Sequence, residues 1–197
     1  MIWPAAVQAH LDARRPIRVV WLLWARPKPL AGGARVGIGL STADDHETLT
    51  VEGEARTYYG AQGGMGVPPI RRRVGTGIAT LDIGLSLTPE GDLLLRGYDT
   101  RLAPAQVHAA VYNPETSALL GIGRAFIGTV DGTSLHTAEL GGRSQATIRL
   151  ASSARRGTMT VVGVKSDQSQ RRRDPADEFN RYSSLGTVAS DPHGGEA

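Results

Sequence analysis

The most regular alternation in the chain runs through Leu81, Ile83, Leu85 and Leu87, which are separated by Asp82, Gly84 and Ser86. A period of two places one set of side chains in a core and the other in water, so the segment predicts a half-buried strand. Ile17 to Trp24 has a different pattern, an almost unbroken β-branched and aromatic run, and predicts a strand with both faces covered. Further strands are expected over Arg35–Leu40, Leu49–Tyr59, from Leu93, over Leu119–Val130, Ser134–Leu140 and Ala146–Leu150, with Thr158–Val164 a last strand or a turn of helix. Two turns are expected to join neighbouring strands as hairpins. One is Pro89-Glu90-Gly91-Asp92, and the other is Asp131-Gly132, whose residue types suit a type I′ turn. Helical spacing is confined to residues 4–14, after Pro4, and to residues 103–111, where Pro104 would sit in a first turn.

These elements predict a mainly β fold, one or two small β-barrel or sandwich-like units with one or two short helices. The layout reads as an N-terminal helix over residues 1–16 and a β-rich body over 17–164, with a subdivision placed near 88–103. A polar, arginine-rich segment and terminal strand over 165–189 follow, then a flexible tail over 190–197. No internal repeat recurs at a fixed period.

Composition sharpens this picture. The 197 residues suffice for a real core. The 25 glycines and 11 prolines, with only 5% aromatics, favour many turns and short strands. Net charge is +3, the pI is about 9.6, and lysine occurs only at Lys28 and Lys165, so the basic character is carried by arginine. That balance does not by itself argue for nucleic acid. There is no cysteine, which excludes disulfides and thiolate metal sites. The apolar run from Ile17 to Ala25 is far short of the roughly 20 residues that cross a bilayer, and the N-terminus lacks the pattern of a secretory signal. Synthesis in a cytoplasm and no membrane association are expected.

Candidate chemistry is sparse. Gly121, Gly123 and Gly128 miss the spacing of a dinucleotide fingerprint and precede no helix. Asp44, Asp45, His46 and Glu47 are metal-ligand types, but neighbours on an extended segment point to opposite faces, and a solvated acidic loop explains them better. No serine lies in a nucleophile elbow. The expectation is therefore a protein that is not an enzyme and uses no cofactor. Two arginine triplets remain, Arg71, Arg72, Arg73 and Arg171, Arg172, Arg173, the second followed by Asp174, Asp177 and Glu178. Neighbouring acids weaken the field that a polyanion would feel, and stacking aromatics are lacking beside the arginines. Subunit contact through Arg71, Arg72, Arg73, Arg171, Arg172, Arg173 and Asp174 is the simpler reading, with nucleic-acid binding as the rival.

Four stretches between Val19 and Tyr182, about half the chain, carry a resemblance: VVWLLWARPKP, STADDHETLTVEGEARTYYGA, LTPEGDLLLRGYDTRLAPAQVHAAVYNPETSALLGIGRAFIGTV and SDQSQRRRDPADEFNRY. In that order they resemble the tail-hub and tail-tip structural proteins of long-tailed bacteriophages and gene transfer agents. The resemblance implies a virion tail protein forming a ring beneath the tail tube. Its partners would be identical copies, the distal tail protein and a central fibre or spike protein. A hub of that family is threefold, so a trimer is expected. The alternative is the distal tail protein itself, whose rings are sixfold. Some hub relatives hold an iron–sulfur cluster on cysteines, which this chain does not have.

Overall fold

A computed structural model of the chain describes residues 3–61, 64–70, 77–86, 89–136, 144–158 and 166–181. Arg71–Arg73, Leu87, Leu140, residues 159–164 and the tail over 190–197 lie outside those residues. Met1–Thr158 forms one compact unit and Met159–Ala197 a second.

Nine strands of the first unit form one mixed sheet. In chain order they are β1 (Arg18–Ala25), β3 (Ile38–Ser41), β4 (Glu47–Val51), β5 (Glu54–Gly60), β6 (Met65–Gly66), β7 (Thr80–Ser86), β9 (Pro104–Tyr112), β10 (Leu119–His136) and β11 (Gln145–Ser152). Two short strands, β2 (Lys28–Pro29) and β8 (Tyr98–Asp99), pair separately. The sheet order is β4-β5-β3-β1-β9-β10-β11-β7-β6, antiparallel except for the parallel β3–β5 pair. Ala61 and Gly64, after β5, link β3 to β7. Ala61 N–H donates to Ser41 O beside β3 at 2.9 Å, and Ser86 N–H of β7 donates to Gly64 O at 2.5 Å. The sheet thus curls into a barrel-like body. Ile38 and Leu40 from one side and Leu81, Ile83 and Leu85 from the other share a core with Leu23, Val107, Phe126, Ile148 and Leu150.

The outer face carries a second apolar cluster. Val20 and Leu22 of β1 and Ala110 and Tyr112 of β9 pack there against Leu49, Val51 and Tyr58 from the β4–β5 hairpin. Alternation explains both layers. Leu23 and Ala25 turn inward while Val20 and Leu22 turn outward, so β1 is covered on both faces from Val20 onward and reads as a continuous apolar run. The structure is mainly β, as the pattern predicts.

Four local expectations are corrected. Residues 103–111 are not a helix but β9, bonded along one edge to β1 and along the other to β10. Pro104 is its first residue, where a missing N–H costs no ladder bond, and burial between two strands overrides the helical preference of its alanines. The supposed hairpin at Pro89–Asp92 is instead the start of helix α2 (Pro89–Arg96). Pro89 occupies a first turn, Leu94 is buried, and Gly97 N–H closes the end on Leu93 O at 2.8 Å. Leu49–Tyr59 is two strands rather than one. Glu52 (φ 53°) and Gly53 (φ 84°) reverse the chain in the left-handed geometry that a two-residue type I′ turn needs. Asp131-Gly132 does not reverse the chain, because β10 runs on to His136. Val130 faces Leu150 and Gly132 faces Arg149, so Asp131 is the extra residue of a bulge, and it is ion-paired to Arg155.

The remaining helices are short. Helix α1 (Ala5–Asp12) packs on β10, with Pro4 and Val7 over Gly121, where a Cβ would lie 2.7 Å from Pro4 Cγ. A 3-10 turn covers Ser153–Thr158, and α3 (Asp167–Arg171) belongs to the second unit.

The two faces of β7 yield a stability prediction. Ile83 is fully buried, and Ile83→Ala should cost about 2–5 kcal/mol. Asp82 faces solvent opposite Arg149, and Asp82→Ala should cost less than about 1 kcal/mol. Urea denaturation of both variants checks this, and similar losses would mean that the faces are misassigned.

Candidate functional site

Polar side chains converge at the tip of the β4–β5 hairpin, where it lies over β9 and β10. Glu52, in the turn itself, is the centre. Its Oε1 accepts from Arg124 NH1 at 2.8 Å and lies 3.5 Å from His108 Nε2. Its Oε2 accepts from Gln106 Nε2 at 3.2 Å and lies 3.8 Å from Arg56 NH2. Arg56 also donates to Gln106 Oε1 at 2.8 Å and to Glu54 Oε2 at 3.0 Å, and its guanidinium stacks 5.2 Å from the Trp24 ring. The strands explain the gathering. Gln106 and His108 are two apart on β9 and share its outer face, Arg124 stands opposite His108 on β10, and Arg56 rises from β5.

The cluster spans the boundary between burial and water. Arg56 is 6% exposed and His108 1% exposed. Neither ring nitrogen of His108 has an aligned hydrogen bond, and Glu52 supplies only a charge nearby. Burial holds the imidazole below its usual pKa, although the Glu52 carboxylate pulls the other way. For Glu52, burial acts to raise the pKa, but the charges of Arg124 and His108 and the Gln106 bond outweigh it, so the carboxyl lies below its usual range. A cavity of about 350 Å³ opens beside the cluster, between Thr50–Glu52 on one wall and Leu119–Arg124 on the other, with His108 in its lining.

A second polar site lies at the other end of β4. Tyr112 OH donates to Glu47 Oε2 at 2.6 Å, and Arg18 sits 5.0 Å from the Tyr112 ring. Burial, then the Glu47 bond, pushes the phenol well above its ordinary pKa. The acidic loop is beside it, and the exposed His46 accepts at Nδ1 from Gly60 N–H at 3.0 Å. Among the described residues no three metal-ligating side chains converge.

The second arginine segment belongs to the second unit. In α3, Arg171 Nε pairs with Asp167 Oδ2 at 3.0 Å. Arg172 and Arg173 are exposed, and Asp174 Oδ1 accepts from Ala176 N–H at 3.0 Å to form a tight turn. Asp174 thus caps its own loop and pairs with none of the three arginines. Arg71, Arg72 and Arg73 lie outside the described residues. Sequence reading missed the Glu52 cluster altogether. Its one local signal was the alternation of Gln106 and His108 with Ala105, Val107 and Ala109, a period of two inside the stretch read as helix.

The linked titrations predict a pH dependence. His108 is held neutral in the fold, so an unfolded chain takes up a proton first, and stability declines as pH falls below the ordinary value of 6.5 toward the depressed one. Glu52 adds a second decline below its ordinary value of 4.5. Urea midpoints measured between pH 8 and pH 4 should hold steady at the top of that range and fall below about pH 6.5, and His108→Gln should flatten the upper part of the fall. An unchanged slope in that variant would remove His108 as its cause.

No family model matches the chain, and no curated protein matches it. Among solved structures, it is similar to a chain from the virion of a native gene transfer agent particle, with a TM-score of 0.44 and 18% sequence identity. The match covers 75% of this chain and 44% of that one, so this chain spans less than half the length of the neighbour.

Proposed function

We propose that this protein is a structural component of a phage-like virion, a ring-forming hub or adaptor at the tail tip. It would link the tail tube or distal tail protein to the central fibre or spike protein. The ordered resemblance of four segments to tail-hub proteins carries the reading. The described fold is compatible with that role. A barrel-like body holds a second layer on its outer face, and Glu52, Arg56, Gln106 and Arg124 tie the two layers together. Glu52, the most connected carboxylate, is engaged by Arg124 and Gln106 and faces His108 and Arg56, an arrangement that fixes a hairpin. Arg172 and Arg173 are exposed and suit pairing with carboxylates on a neighbouring subunit, as Arg71–Arg73 and Asp174 would in the same scheme. The ring would be a trimer in a hub and a hexamer in a distal tail protein.

Imaging of intact particles tests this. The expected result is several copies of the barrel in a closed ring on the tail axis. Absence of the chain from the particle, or one copy off the axis, would overturn the reading. A ring in which neither arginine segment lies near another chain would keep the architecture and remove those residues as contacts.

A further inference from the structure

Among the described residues two strand edges of the first unit have no strand partner, and they match. Strand β9 accompanies β10 only as far as Thr129, with Leu102 N–H to Val130 O at 3.0 Å and Val130 N–H to Ala103 O at 2.9 Å as the last bonds on that side. Beyond the Asp131 bulge, residues 132–136 of β10 stay bonded to β11, while their other edge faces no described strand. The direction of the backbone groups follows from β11. Ser152 N–H donates toward β7, to Ala79 O at 2.8 Å, so by alternation Leu150, Ile148 and Ala146 also point toward β7. Their partners Thr133 and Leu135, opposite Ile148 and Ala146, therefore aim their N–H and C=O groups at the open edge. This edge carries no proline or lysine to blunt it, and Leu135 is 41% exposed.

The second edge is β4, which among the described residues pairs only with β5. Next to the two-residue turn, Val51 and Glu54 form a bonded pair, so Val51, Leu49 and Glu47 point toward β5. Thr48 and Thr50, both exposed, direct their backbone groups outward. Each edge thus offers two residues, two positions apart, with free donors and acceptors.

We propose that this chain joins a second copy of itself by antiparallel pairing of β10 with β4, Thr133 opposite Thr50 and Leu135 opposite Thr48. The register sets His136 beside Glu47, an imidazole against a carboxylate. The two edges lie on different parts of the surface, so the contact is head-to-tail, the kind that closes into a ring or continues as a filament. The proposal rests on the ring reading above and names the surface that builds it.

The absence of cysteine makes a clean test available. Directly bonded antiparallel partners stand about 5.5 Å apart at Cα, within the span of a disulfide. Thr133→Cys combined with Thr50→Cys should give, on oxidation of the full-length chain, a ladder of covalent multimers on a non-reducing gel, and each single variant should give none. Leu135→Pro removes one outward N–H and keeps the β11 bonds. It should abolish the multimers with the thermal midpoint nearly unchanged. Native mass spectrometry of the unmodified chain separates the two claims. Multimers that do not cross-link through this pair, or Thr133→Cys alone forming dimers, would overturn the edge and leave the ring standing. A chain that stays monomeric at every concentration and does not cross-link would overturn the edge pairing, and imaged particles would then decide the ring.

Discussion

Strand β9 is bonded on both edges and covered on both faces, and the layers of the first unit depend on that constraint. Its inward residues Ala105 and Val107 help fill the barrel, and its outward residues Ala110 and Tyr112 receive the β4–β5 hairpin. A strand in this position leaves few side chains to water, and its polar residues Gln106 and Tyr112 take partners from another element. Gln106 finds Arg56 and Glu52, and Tyr112 finds Glu47. All of those partners come from the one hairpin. The apolar layer and the polar ties are therefore not independent. Removing the hairpin would expose an apolar face and orphan the polar groups of β9 at once.

Glu52 shows how the hairpin is held. A carboxylate near two arginines gains from their charge, and its partial exposure keeps the desolvation cost modest. Its left-handed backbone is unusual for a residue with a side chain and is a strained choice where asparagine or glycine would be easier. That strain is offset by bonds that only a side chain in the turn can reach. His108 is the less comfortable member, since its buried ring has no aligned partner and burial lowers its pKa. The outer layer is accordingly most secure at neutral pH, and its weak point under acid lies beneath the turn.

Much of the scaffold was legible from local pattern, and the failures have a common physical origin. Strands β1 and β7 and helix α1 were readable because a single face or a single apolar run defines them. The stretch over 103–111 and the Pro89–Asp92 turn were exchanged in type, because proline followed by small or acidic residues suits a helix start, a turn and a strand end alike. Only the neighbours decide, and those neighbours lie far away in sequence, as Leu23 lies opposite Val107. The polar site was invisible for the same reason. Glu52 and Arg124 are 72 positions apart, and nothing near either marks the other.

The Asp131 bulge links the interior of the barrel to its open edge. One extra residue keeps β10 in register with β11 for five more positions, past the end of the β9 pairing at Pro104. Val130 is still a core residue, 2% exposed, whereas Thr133 to His136 are all exposed. The bulge is pinned from outside by the Arg155 ion pair, so it is part of the built structure rather than a frayed end. An extended strand with one open edge invites pairing with another strand. That the chain extends β10 here, with small uncharged residues at Gly132, Thr133 and Ser134, is the expected arrangement when the missing strand arrives from another molecule.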